Sequence, residues 1–183
     1  MIKAIIFDLD GVVIDSERLY QKGEIRLFKE YGVAIPDTDW KLFRGCQEDA
    51  FYQIAMERYG IKEDRNIFMS KGRKYILEEF SKSLEYKSGF KELFARIHNN
   101  FETGLVTSSS SDIFEWVNRL LNLRNYFNRI IYNGMSENAK PHPDPYLKMV
   151  QWIGCQPEEC IVVEDSVHGL NSALSAGAKV IAV

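Results

Sequence analysis

The sequence predicts an α/β fold: a doubly wound parallel-sheet core with an all-helical insertion. Three observations carry this. Five short runs, Lys3–Phe7, Glu102–Val106, Arg129–Tyr132, Cys160–Val163 and Lys179–Val183, are hydrophobic on both pleat faces and mostly separated by helical periodicity, the pattern of a parallel sheet covered on both sides. Residues 15–84 carry no strand pattern at all. That block follows the first strand, so it is an insertion and not a leading domain, and right-handed crossovers wind the remainder into an open sheet. The expected division is 1–14 with 85–183 as the core and 15–84 as the helical part.

Each element has its own signal. Ala4 to Phe7 is a buried-strand run too short for a helix, ending in Asp8, Asp10 and Gly11. Ser16 is the expected N-cap of a first helix through Leu19, Tyr20, Leu27, Phe28 and Tyr31, stopped by Gly32. A short helix starts at Pro36-Asp37-Thr38, and Arg44-Gly45-Cys46 is a break. Gln47–Tyr59 and a stretch from about Asn66 to Leu84 follow as helices. In the core, Phe90–His98 is helical, Thr107-Ser108 opens a helix through Leu121, Tyr146–Ile153 is a third helix and Val167–Ala176 a fourth, closed by Gly177. The last strand ends the sequence and leaves a sheet edge either bare or covered by a following segment.

Composition excludes several partners. The net charge is −3, so no polybasic face argues for nucleic acid or anionic membrane. No run of about eighteen apolar residues exists and no signal-peptide profile precedes the first strand. Cys46, Cys155 and Cys160 lack C-x-x-C spacing, so free thiols in a cytoplasmic protein are expected. A monomer is expected.

The chemistry concentrates at three strand ends. The first ends in Asp8 and Asp10, the second in Thr107 and Ser108, the fourth in Glu164 and Asp165, and open α/β sheets bind ligands beyond the carboxyl ends of their strands. Taken singly, these are turns and caps; together they put four carboxylates in one place. Such a cluster needs a divalent cation, and an all-oxygen donor set favours Mg²⁺, which pairs with phosphate. Lys140, held between prolines in Lys140-Pro141-His142-Pro143, is the second neutraliser. A proton on Asp10 then brings the site near neutrality and fits a general acid. Thr107 and Ser108 can donate to phosphate oxygens.

The stretches F-D-L-D-G-V-V-I-D-S-E, V-T-S-S-S, K-P-H-P-D-P-Y and V-V-E-D-S-V-H-G, in this order, resemble the haloacid dehalogenase superfamily, with its Rossmann-like core. The insertion resembles the helical cap of its β-phosphoglucomutase and phosphatase branch. The resemblance implies Asp8 as nucleophile forming an aspartyl-phosphate and Asp10 as general acid/base. It implies Thr107, with Ser108, as the phosphoryl binder and Lys140 as the residue that orients Asp8. Glu164 and Asp165 would hold Mg²⁺ together with Asp8 and the Asp10 carbonyl. The implied cap opens and closes over the site, with Tyr20, Arg44, Gln47 and Glu48 as candidates for reading the leaving group.

Within that family, Asp10 argues against dehalogenation, since a halide leaving group needs no acid. A mutase grips a second phosphate with a cap arginine, where this chain has Glu48, and tends to carry a histidine where it has Tyr20; Arg44 could compensate. The expected activity is therefore Mg²⁺-dependent hydrolysis of a small phosphorylated metabolite, a sugar phosphate by size. A phosphosugar mutase is the alternative, and a catalytically silent binding protein is disfavoured because every chemical position is intact. His98, His142 and His168 are read as structural, not as ligands.

Overall fold

A computed structural model describes residues 1–43 and 48–183. Among them, five strands, β1 (Ala4–Phe7), β2 (Glu102–Val106), β3 (Ile130–Ile131), β4 (Cys160–Glu164) and β5 (Lys179–Ala182), form one sheet in the order β3-β2-β1-β4-β5. Every pairing is parallel. The doubly wound α/β class is the observed one.

The chain divides into two compact units, one of Met1–Asp15 and Glu85–Val183, the other of Ser16–Leu84. In the first, the sheet is flanked by α5 (Phe90–Ile97), α6 (Ser111–Leu121), α7 (Asp144–Ile153) and α8 (Val167–Ser175); four earlier helices belong to the second. Alternation along β1 sends neighbouring side chains to opposite faces. Ile6 and Val162 pack with Tyr146, Met149 and Val150 of α7 and Ala173 of α8. Phe7 instead meets the rings of Phe90 and Phe127, with centroids 6.0 and 5.8 Å away. Burial on both faces is why β1 reads as a continuous apolar run; β5 reads the same way in the sequence, yet it is mostly exposed, with Ile181 open to solvent.

Register fixes where the functional residues fall. Phe7 lies opposite Leu105 on one side and Val163 on the other, so the next residues, Asp8, Val106 and Glu164, reach the same edge of the sheet together. The Asp8 N–H donates to the Val163 carbonyl at 3.0 Å, and the Thr107 N–H to that of Ile131 at 2.8 Å. Segments 13–15 and 85–87 run side by side, joined by an isolated antiparallel bridge between Ile14 and Tyr86, with the Asp15 N–H donating to the Glu85 carbonyl at 3.0 Å.

The second unit comprises α1 (Glu17–Glu30), α2 (Trp40–Phe43), α3 (Glu48–Tyr59) and α4 (Arg65–Ser83). Leu27, Phe28, Phe43, Phe51, Tyr52, Ala55, Ile61 and Phe68 form its core, and Arg58 makes a two-toothed ion pair to Asp39 at 2.6 and 2.9 Å.

Several local expectations need correction. Ser16 precedes α1 in a helical backbone conformation with no side-chain capping bond; the capping side chain lies on α4, where Asp64 accepts from Asn66 and Ile67 N–H. α6 starts at Ser111, so Thr107 and Ser108 sit in the turn before it and do not open the helix. β3 is two residues long, and β4 extends one residue further than expected, to Glu164. α7 begins earlier, at Asp144, because Pro145 suits a first turn whose N–H groups have no intrahelical partner.

Candidate active site

The centre of the site is a buried ion cluster at the carboxyl end of the sheet. Lys140 Nζ donates to Asp8 Oδ1 at 2.7 Å, to Glu164 Oε1 at 2.6 Å and to the Val106 carbonyl at 3.0 Å. The Lys140 and Glu164 side chains are 3% and 0% exposed, and the ammonium also lies 4.9 Å from the centre of the Tyr146 ring. Burial works against charge on Lys140, but Asp8, Tyr146 and Glu164 outweigh it and hold the ammonium protonated well above its ordinary range.

Glu164 is the most anchored carboxylate. Its Oε1 accepts from Lys140 and from the Tyr146 hydroxyl at 3.0 Å. Its Oε2 accepts from Asp165 N–H, Ser166 N–H and Ser166 Oγ, each at 3.0 Å. Burial pushes its acidity down, but Lys140, Ser166 and Tyr146 prevail and hold it ionised, below the ordinary glutamate value. Asp8 differs. With protein groups alone around it, burial pushes its carboxyl up to about 8; Lys140 opposes this, while the charges of Glu164 and Asp10 add to it.

Asp10 sits in the turn after β1, and its Oδ2 accepts from Ser109 Oγ at 2.9 Å. Thr107 is buried, with its hydroxyl oxygen accepting from Ser109 N–H at 3.0 Å. Ser108 is exposed. Of the residues singled out in the insertion, Tyr20 is half-buried and stands edge-on to Phe80 at 5.1 Å. Glu48 makes a bidentate pair with Arg73 at 2.6 and 2.8 Å. Arg44 and Gln47 lie outside the described residues.

The model of the haloacid dehalogenase-like hydrolase family matches residues 5–183. The chain belongs to this family. It is 30% identical over 177 residues to the phosphorylated carbohydrates phosphatase of Thermotoga maritima, covering 96% of this chain and 82% of that one. A solved Thermotoga maritima structure provisionally named beta-phosphoglucomutase is 28% identical, with a TM-score of 0.82 over 99% of this chain and 85% of that one. A haloacid dehalogenase hydrolase of family IA from Entamoeba histolytica is 26% identical, with a TM-score of 0.87 over 100% of this chain and 84% of that one.

The donor set of this haloacid dehalogenase-like site suits a divalent cation. Asp8, Glu164 and Asp165 each offer an oxygen, all within 4.8 Å of one another, and hard oxygen donors fit Mg²⁺. One lysine does not balance these carboxylates, and the close approach is built in. A Cβ on Gly11, whose φ is +80°, would stand 1.9 Å from Asp165 Oδ2, and one on Gly169 would stand 1.6 Å from Glu164 Oε1. Only glycine admits the carboxylates at these two points. The Asp10 side chain is not part of the trio.

Two contributors escaped the sequence reading. Ser109 is one of four consecutive serines, and nothing in the run marks which of them meets Asp10. Tyr146 reads as a helix-core aromatic, and it is one; its hydroxyl reaches Glu164 through tertiary packing alone.

Proposed function

We propose that this chain is a phosphoric monoester hydrolase, Mg²⁺-dependent, acting on a small sugar-phosphate-like metabolite through an aspartyl-phosphate on Asp8. The observation that carries the reading is the Lys140 bridge from Asp8 to Glu164 beside Asp10 and Thr107: a nucleophile oriented by a buried cation, next to a separate proton carrier. Relatives named as phosphatases of phosphorylated carbohydrates and of 6-phosphogluconate support the substrate class.

In this reading Asp8 attacks phosphorus in line, and the bond to the leaving oxygen breaks as Asp10 gives it a proton. Thr107, accepting from Ser109 N–H, keeps its hydroxyl hydrogen for a phosphoryl oxygen. Lys140 holds Asp8 in place. Asp10, now basic, takes a proton from water, which attacks the acyl phosphate and frees Asp8. A bound Mg²⁺, held by Asp8 and Asp165 with the Asp10 carbonyl and Glu164 in support, would supply charge to offset the phosphoryl oxygens. We assign catalysis to residues 1–15 and 85–183 and choice of leaving group to the helical unit.

The test is phosphate release from an aryl phosphate. Mg²⁺-dependent turnover is expected, stopped by EDTA and abolished in Asp8→Asn; ordinary turnover by that variant would remove Asp8 as nucleophile. A phosphosugar mutase is the second reading, favoured by the name of the 28% identical structure. Against it, the acid Glu48 stands where a phosphate-gripping arginine is expected, although Arg73 offsets its charge. Interconversion of hexose 1- and 6-phosphates with little phosphate released would select the mutase.

A further inference from the structure

Away from the ion cluster, the C-terminus of α7 and the start of β4 bring two thiols together. Cys155 follows the left-handed Gly154 that ends α7, Cys160 is the first residue of β4, and a short 3-10 turn at Pro157–Glu159 joins them. Their sulfurs lie 3.1 Å apart, against 4.0 Å for the neighbouring contact from Cys155 Sγ to the Val150 carbonyl. Cys160 Sγ also lies 3.5 Å from the Gln156 carbonyl. A disulfide bond requires the sulfurs to close to about 2.05 Å, a movement of about one ångström.

We propose that Cys155 and Cys160 are a redox modification site, joined by a reversible intramolecular disulfide with a peroxide as oxidant. The two thiols have different tasks. Cys155 is half-buried and meets the oxidant; Cys160 is buried, and burial pushes its thiol up to about 12. The Cys155 thiolate attacks the peroxide, forming an S–O bond as the O–O bond breaks; hydroxide leaves and takes up the proton that the Cys155 thiol released, giving water. Cys160 sulfur then attacks Cys155 sulfur, forming the S–S bond as the S–O bond breaks, and the displaced hydroxide carries off the Cys160 proton as water. In sum, two thiols and one hydrogen peroxide give one disulfide and two waters. The site is independent of the phosphatase reading.

Sequence makes the test clean. Trypsin releases both cysteines in one peptide, Met149–Lys179, with Cys46 in another, and Glu158 and Glu159 allow a second cleavage between the pair. After exposure of the folded chain to hydrogen peroxide and alkylation in denaturant, that peptide should be lighter by two hydrogens and unalkylated. Its halves should stay linked after cleavage at the glutamates, and dithiothreitol should reverse the change. In Cys155→Ser, Cys160 should remain alkylatable. Recovery of both thiols alkylated from the native chain, or of Cys155 as sulfinic or sulfonic acid beside a free Cys160, would overturn the proposal. Mapping of the native chain decides even if the Cys155→Ser variant fails to fold.

Discussion

Replacing Lys140 by Met leaves Asp8 and Glu164 buried and adjacent without the cation that now touches both at 2.7 and 2.6 Å. Breaking a buried ion pair by removing one partner costs about 3–5 kcal/mol. Lys140→Met is therefore expected to lose stability on that order in denaturant unfolding and to lose phosphate release as well; a variant of native stability would show that the carboxylates find another counter-charge. Ser109 is a gentler case. Its hydroxyl gives Asp10 one hydrogen bond, and such a bond is worth about 0.5–1.5 kcal/mol. Ser109→Ala should lower kcat by up to about tenfold and leave the unfolding midpoint near that of the parent. Unchanged turnover would mean Asp10 is held by other groups. At this scale the acids and the lysine are legible because charged residues at the ends of apolar runs are conspicuous. Ser109 and Tyr146 are not, since hydroxyls suit turns and helices equally well and only the packed chain says what they meet.

Elements are built around the same cluster. α8 has Gly169 in its first turn, where the glycine lets the helix settle against Glu164, and its N-cap Ser166 accepts from the Gly169 N–H at 3.0 Å. A Cβ at that position would overlap Glu164 Oε1, and the nearest atoms all belong to a carboxylate fixed by five donors. Gly169→Ala should therefore displace α8 or Glu164. The expected outcome is a loss of more than about 2 kcal/mol in stability, the usual result of overpacking, with activity lost alongside it. Wild-type stability and turnover would show that the helix shifts freely. Sequence periodicity located nearly every helix and strand but was weakest at their starts. Ser16 has the composition of a cap without making the bond, whereas Asp64 makes it. The serine run likewise hid the four-residue turn, 107–110, before α6. Caps depend on backbone conformation at a single residue, which composition does not determine.

At the scale of the molecule, the order β3-β2-β1-β4-β5 is that of a doubly wound parallel sheet, the class read from the apolar runs of the sequence. The pH response of the helical unit was not visible beforehand, because it depends on burial. Glu24 is half-buried on α1, and burial pushes its carboxyl up to about 7, above about 4.3 in an unfolded chain. Between these values the folded chain keeps a proton that the unfolded chain releases, so stability falls with rising pH. The contribution of Glu24 is complete below about pH 4.3 and is lost as pH climbs through 7. Allowing for partial solvent access, the change is on the order of 1–3 kcal/mol. Thermal unfolding between pH 5 and 7.5 with EDTA present, so that no cation binding varies, should show Tm declining in the parent. Glu24→Gln, neutral throughout, should flatten that decline and match or exceed the parent Tm at pH 7.5. A variant that keeps the full slope would remove Glu24 as its source and leave the raised Asp8 carboxyl, pushed to about 8, as the group that titrates with folding.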